Sequence, residues 1–257
     1  VGSEMCIRDR RATGTSELSI RELAVAFERA ARGGEPSVTA ARRHLSRTLR
    51  GTGAVHLDRI RGEHWFLGRA GVGKTSLALH LAGTLRRDGV RVAMLALCPQ
   101  HDGDLQRLRS AGEALGISSY AIYDAVELQE ARERVADVDV VLVDTPCFLG
   151  GDWSVRPGPE AHRHLVVPLG EDRCLLRDQL RLVDDWEADT LAVTQMDLFP
   201  RPGRLVDLAA EVRRPVSFLQ GRRDGRVVVK LARGETLIQA VLADAEPTES
   251  VAAEASA

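Results

Sequence analysis

The chain has 257 residues, 44% of them hydrophobic, and a formal net charge of -2. That length supports one full α/β core plus a small helical appendage, without disulfide or metal staples. The near-neutral balance gives no pointer to nucleic acid or to an anionic membrane as the main partner, and no apolar run approaches the roughly 18 residues of a bilayer span. Only two of the 35 basic residues are lysines, Lys74 and Lys230, so Lys74 persists against a bias toward arginine. Cys6, Cys98, Cys147 and Cys174 have no CxxC spacing and no secretory signal precedes them, which predicts free thiols in a reducing compartment.

Val1 to Arg10 carry no periodicity and are set aside as a non-native leader. Residues 11–59 are expected to form a short helical N-terminal region: a helix from Thr15 to Ala31 ended by Gly33-Gly34, then one from Val38 to Leu49 with Ser37 as N-cap. From residue 60 the pattern changes. His64 to Leu67 reads as a buried strand running into Gly68-Arg69-Ala70-Gly71-Val72-Gly73-Lys74-Thr75, with a helix over Thr75 to Arg87. Further strands are expected at Val90–Leu97, Tyr120–Tyr123, Val138–Val143, His164–Pro168, Thr190–Val193, Val216–Leu219 and Val227–Leu231. Helices are expected at Asp104–Leu115, Ala125–Ala136, Leu175–Trp186, Leu205–Val212 and Glu235–Leu242. This alternation predicts an α/β fold over residues 60–243: a doubly wound, mostly parallel sheet with its ligand at the carboxyl ends of the strands. The acidic, alanine-rich stretch 244–257 is expected to be disordered.

Three clusters carry chemistry. Gly68 to Thr75 matches the phosphate-binding P-loop at every position of its pattern. Its glycines (Gly68, Gly71 and Gly73, flanking Val72) let backbone N–H groups curl around phosphate, Lys74 reaches the outer phosphates, and Thr75, next to Ser76, offers a hydroxyl to Mg²⁺. Arg69 stands where partitioning-type ATPases place a second lysine, which counts against that class. Asp144 ends the stretch Val138–Val143, apolar but for Asp139, a position from which a carboxylate holds Mg²⁺ directly or through water. Thr194-Gln195-Met196-Asp197 follows a strand, and Ser217 to Gly221 follows the next. An Asp at that place accepts from guanine N1–H and N2–H₂, a pair that adenine lacks.

Together these residues resemble the signal-recognition-particle family of GTPases, most closely its flagellar branch, over roughly Ile60 to Leu242. QRLRSAGEALGI, VDVVLVDTP and the segment from Arg214 to Gly221 are similar to further family motifs. The resemblance implies GTP or GDP with Mg²⁺ as ligands, with Gly68, Gly71, Val72, Gly73, Lys74, Thr75, Ser76, Asp144, Thr194, Asp197 and Gly221 at the site and Thr75 and Asp144 toward the metal. It also implies a helical N domain, a homodimer or heterodimer formed through the nucleotide face, a cytoplasmic location with indirect, peripheral contact at the inner membrane face, and a role in flagellar placement or membrane targeting of proteins.

Four departures bear on turnover. Where the family carries Asp-Thr-x-Arg this chain has Cys98, Pro99, Gln100 and His101; the helix glutamine is Arg107, the glycine after Asp-Thr-Ala is Cys147, and the base-loop lysine is Gln195. Loss of a phosphoryl-stabilising arginine costs roughly 10³ to 10⁵ in rate. No catalytic residue is therefore assigned, and a degenerate GTPase that binds but hydrolyses weakly is expected. A pseudo-GTPase scaffold and a partitioning-type ATPase stay open as alternatives. Cys98 and Cys147 are read as thiols filling small spaces rather than as a zinc or redox pair.

Overall fold

The computed structural model describes residues 16–34, 37–49, 60–99, 102–147, 155–183, 186–199, 203–234, 237, 238 and 241. The leader, the tail, Gln100 and His101 lie outside them, and of the closing helix only 234, 237, 238 and 241 are described, all helical. The chain divides into two compact units, one within Val1–Arg50, Pro200–Glu211 and Gly234–Ala257, the other within Gly51–Phe199 and Val212–Arg233.

In the first unit α1 (Glu17–Arg32) packs on α2 (Ser37–Thr48), burying Ile20, Ala40, Leu45 and Leu49. The start of α1 is tied to a residue far along the chain, Asp207, which is 3% exposed. Its carboxylate accepts from Ser16 Oγ at 2.7 Å, Ser16 N at 2.9 Å and Ser19 Oγ at 2.6 Å. Three donors and the nearby Arg204 offset the cost of burying that charge.

The second unit is a sheet of eight strands in the order β3-β2-β4-β1-β5-β6-β7-β8. These are β1 (Gly62–Leu67), β2 (Val92–Leu97), β3 (Ser118–Ile122), β4 (Val140–Asp144), β5 (His162–Pro168), β6 (Thr190–Thr194), β7 (Val216–Arg223) and β8 (Arg226–Leu231). All pairings are parallel except β7 with β8. That last pair is a hairpin closed by Arg223 and Arg226 around Asp224 (φ 53) and Gly225 (φ 74). An Asp-Gly pair with both φ positive is the turn that matches the right-handed strand twist.

Helices α3 (Lys74–Arg87), α4 (Asp102–Leu115), α5 (Ala125–Arg134) and α6 (Arg173–Val183) connect the parallel strands; α7 (Arg204–Val212) precedes β7. The central strands are apolar throughout because helices cover both faces of a parallel sheet: all of β2 and β6 is buried, and Trp65, Phe66 and Leu67 are inaccessible. α3 packs on β1, β2, β4 and β8, contributing Leu77, Ala78, Leu81, Ala82 and Leu85 to the core. The P-loop strand β1 lies between β4 and β5, where the connections turn to opposite halves of the sheet, and that reversal leaves a crevice at the carboxyl ends.

Toward the amino ends of the strands lies a chain of buried polar groups. His64 Nδ1 meets His164 Nε2 at 2.9 Å, His64 Nε2 meets Arg61 O at 3.1 Å, and His164 Nδ1 meets Thr190 Oγ1 at 2.6 Å. A carbonyl only accepts, so His64 carries its proton on Nε2, His164 donates from Nε2, and His164 Nδ1 accepts from a hydroxyl, with Thr190 Oγ1 at 2.6 Å and Ser217 Oγ at 3.1 Å in reach. Both rings are neutral in this arrangement.

Candidate functional site

Every cluster picked out in the sequence reaches the carboxyl edge. The P-loop turns on positive φ values at Gly68 (149), Gly71 (78) and Gly73 (96). Gly73 is the N-cap of α3 and no side chain caps that end, so the first amides of the helix are left for an anion. Lys74 is 7% exposed, and its Nζ donates to Gly68 O and Arg69 O, each at 2.9 Å. Burial pulls its ammonium below the ordinary lysine value, opposed first by the Asp144 charge and then by Cys147. A cation held among carbonyls at reduced hydration is ready to exchange them for phosphate oxygens.

Thr75 Oγ1 donates to Asp144 Oδ2 at 2.6 Å, and both line a cavity of about 250 Å³ with Gly71, Lys74, Cys98 and Cys147. A hydroxyl and a carboxylate at contact distance are the hard oxygen donors that suit Mg²⁺. Thr145, next to Asp144, is buried and donates from Oγ1 to Phe66 O at 2.6 Å, locking the strand end against β1.

The base-loop candidates are clipped to the P-loop. Thr194 Oγ1 donates to Val72 O at 2.6 Å, and Gln195, at φ 54, donates from Nε2 to Gly71 O at 3.1 Å. The residue in the lysine position thus ties the two loops together. Ser76 Oγ accepts from Gln220 Nε2 at 3.0 Å, and Met196 N donates to Gln220 O at 3.1 Å, so β7 holds both loops. Asp197 is exposed beside Gly221, where a Cβ would lie 3.4 Å from Asp197 Oδ1 and 3.0 Å from Met196 Cβ. A side chain there would press on the Asp197 loop, which glycine leaves undisturbed. Arg107 is exposed on α4, and the neighbouring Leu108 lines the cavity instead.

Two site residues carry no motif. Glu171, with its side chain 2% exposed, grips Arg69 at both ends, Oε2 to Nε at 3.0 Å and Oε1 to Nη2 at 2.8 Å. Such a fork-to-fork pair fixes the second P-loop residue against the loop after β5. Gln179, buried on α6, donates from Nε2 to Val166 O at 2.8 Å and stands 2.8 Å from where a Cβ on Gly68 would be. Gly68→Ala adds that clash, a second one 2.9 Å from Val166 O, and positive-φ strain, so a loss of about 2 to 4 kcal/mol is expected. Gly71→Ala meets open space and should cost only its strain, about 1 to 2 kcal/mol. Urea midpoints at unchanged slope read both; equal losses would contradict the packing account.

With the P-loop strand between β4 and β5 and a helix leaving the loop, this α/β sheet has the fold of signal-recognition-particle-type GTPases. No family model matches the chain, and no curated protein matches its sequence. Solved structures match its fold. FlhF complexed with GTP and Mg²⁺ superposes with a TM-score of 0.79 at 15% identity, covering 93% of this chain and 98% of that one. Chloroplast FtsY from Physcomitrella patens gives 0.72 at 18%, covering 93% and 88%. Signal Recognition Particle 54 kDa protein from Aeropyrum pernix K1, in complex with GDP, gives 0.67 at 18%, covering 93% and 63%. Among the described residues no helix is long and apolar enough to cross a membrane.

Proposed function

We propose that this chain binds a guanine nucleotide with Mg²⁺ at the P-loop and turns it over weakly or not at all on its own, serving flagellar placement or membrane targeting of proteins. The observation that carries the binding claim is the single cavity where Lys74, Thr75 and Asp144 meet below the uncapped start of α3. The α3 amides and Lys74 would take the phosphates, Thr75 and Asp144 the Mg²⁺, and Asp197 beside Gly221 the guanine edge. Bound Mg²⁺ would supply charge neutralisation between the outer phosphates. The FlhF and Aeropyrum structures hold GTP with Mg²⁺ and GDP respectively, in line with this reading.

Weak turnover follows from what lines the cavity. Cys98 and Pro99 stand where the resemblance puts a water-positioning carboxylate, and Cys147 stands in place of glycine. A partner would have to supply the missing groups. Tyr123, Val126, Leu175 and Leu198, from 45% to 71% exposed, all sit on segments leaving the carboxyl edge, which favours association through the nucleotide face with a second copy or a related domain.

Base choice tests the reading. Asp197→Ala should raise the GTP dissociation constant at least about 100-fold, the cost of two hydrogen bonds to a charged acceptor, and leave ATP binding unchanged. Turnover of the isolated chain should stay below about 1 s⁻¹. Equal GTP and ATP affinity before substitution, or fast turnover, would contradict it.

A further inference from the structure

Two cysteines line the cavity that the proposed function gives to phosphate and Mg²⁺, and they differ. Cys98 donates its S–H to Tyr123 O at 3.6 Å, and burial, with Glu127 and Asp124 nearby, holds the thiol above its ordinary value. Its backbone is pinned as well, N to Ile122 O at 2.7 Å. Among the described residues no hydrogen bond anchors the Cys147 sulfur in the same way. The residue follows Pro146 and the tethered Thr145, which fix the short segment so that the half-buried Cys147 lines the same cavity as Lys74. Cys174 is exposed at the start of α6 and lines no part of this cavity.

We propose that Cys147 is a modification site for small anionic disulfides and that its adduct and the nucleotide exclude each other, making the phosphate cavity thiol-gated. The proposal rests on the nucleotide reading above. Cys147 lines the same cavity of about 250 Å³ as Lys74, Thr75 and Asp144, so an adduct on its sulfur would take up space that the proposed function gives to phosphate. In the step, the Cys147 thiol gives its proton to solvent and its sulfur attacks one sulfur of the disulfide. The disulfide bond breaks, and the other half leaves as a thiolate with the electron pair. Cys147 is oxidised to a mixed disulfide as the departing half is reduced, and no other oxidant is needed. The positive field of Lys74 selects anionic probes.

The test uses the full chain with Cys6→Ser and Cys174→Ser, and 5,5′-dithiobis(2-nitrobenzoate) as the probe. Release of thionitrobenzoate gives the rate and peptide mass spectrometry gives the site. Without nucleotide, Cys147 should react well ahead of Cys98. With GTP·Mg²⁺ at about 100 times its dissociation constant, exclusion should slow that reaction about 100-fold, and the Lys74→Ala variant should lose the protection. Modification of Cys98 first, or an unchanged Cys147 rate while thermal shift shows nucleotide bound, overturns the proposal. If no nucleotide binds at all, the proposed function fails and the gate with it, whereas preferential Cys147 modification in the nucleotide-free chain would still establish the site.

Discussion

Lys74→Ala is expected to raise the GTP dissociation constant by about 30-fold to several thousandfold, because truncating one partner of a buried, charged hydrogen-bonded pair costs about 2 to 5 kcal/mol. In the free protein the same Nζ is spent on the carbonyls of Gly68 and Arg69, both at the loop itself. Those carbonyls can turn to water when the side chain is gone, and a cation destabilised by burial is removed with it. The variant should therefore unfold within about 1 kcal/mol of the parent while losing nearly all nucleotide stabilisation. Calorimetric titration beside urea unfolding separates the two effects. A variant that binds GTP as tightly as the parent would remove Lys74 from the phosphate site.

Acid lability is the second large effect, and it originates at the amino ends of the strands. His64 is held at about 3 against the usual 6.5, chiefly by burial and then by the charge of His162, with a partial counterweight from the Arg61 carbonyl. His164 is pushed well below its ordinary value by burial and then by His64 and His162. A depressed histidine means that the unfolded chain takes up protons first. The stability is fully present above pH 6.5 and is lost as pH falls from 6.5 toward 3. At about pH 4.5 His64 alone should have removed about 3 kcal/mol. His164 adds to the slope, but the rings share one hydrogen bond and titrate as a pair. The urea midpoint should fall steeply between about pH 6.5 and 4.5, and His64→Phe should flatten that fall while costing stability at neutral pH, where it leaves the Arg61 carbonyl without its donor. A midpoint independent of pH in the parent chain would contradict the neutral, buried assignment.

The sheet was legible where burial is two-sided. Val138 to Val143 and Thr190 to Val193 read as strands because both faces are covered, and they correspond to β4 and β6 within two residues at each end. Boundaries drift where propensity is weak. β3 begins at Ser118 rather than Tyr120, since pairing of Ser118 and Ser119 with Ala93 and Met94 overrides the low strand preference of serine. The Asp224-Gly225 pair carries the local signal of the β7–β8 hairpin, and the pairing runs on to Arg223 and Arg226, beyond the expected strand bounds at Leu219 and Val227. The P-loop and Asp144 could be placed from local order alone, strand then loop then helix. The Arg69–Glu171 and Gln195–Gly71 contacts could not, because they join segments more than a hundred residues apart without any motif. The Asp207 anchor of α1 is hidden for the same reason.

Titration of the chain with GTP, GDP and ATP in the presence of Mg²⁺, followed by thermal unfolding, bears most directly on the central claim. At about 100 times its dissociation constant a guanine nucleotide should stabilise the fold by about 2.7 kcal/mol, and ATP at the same concentration should not. Stabilisation by ATP alone, or by none of the three, would contradict a guanine-nucleotide site at the P-loop.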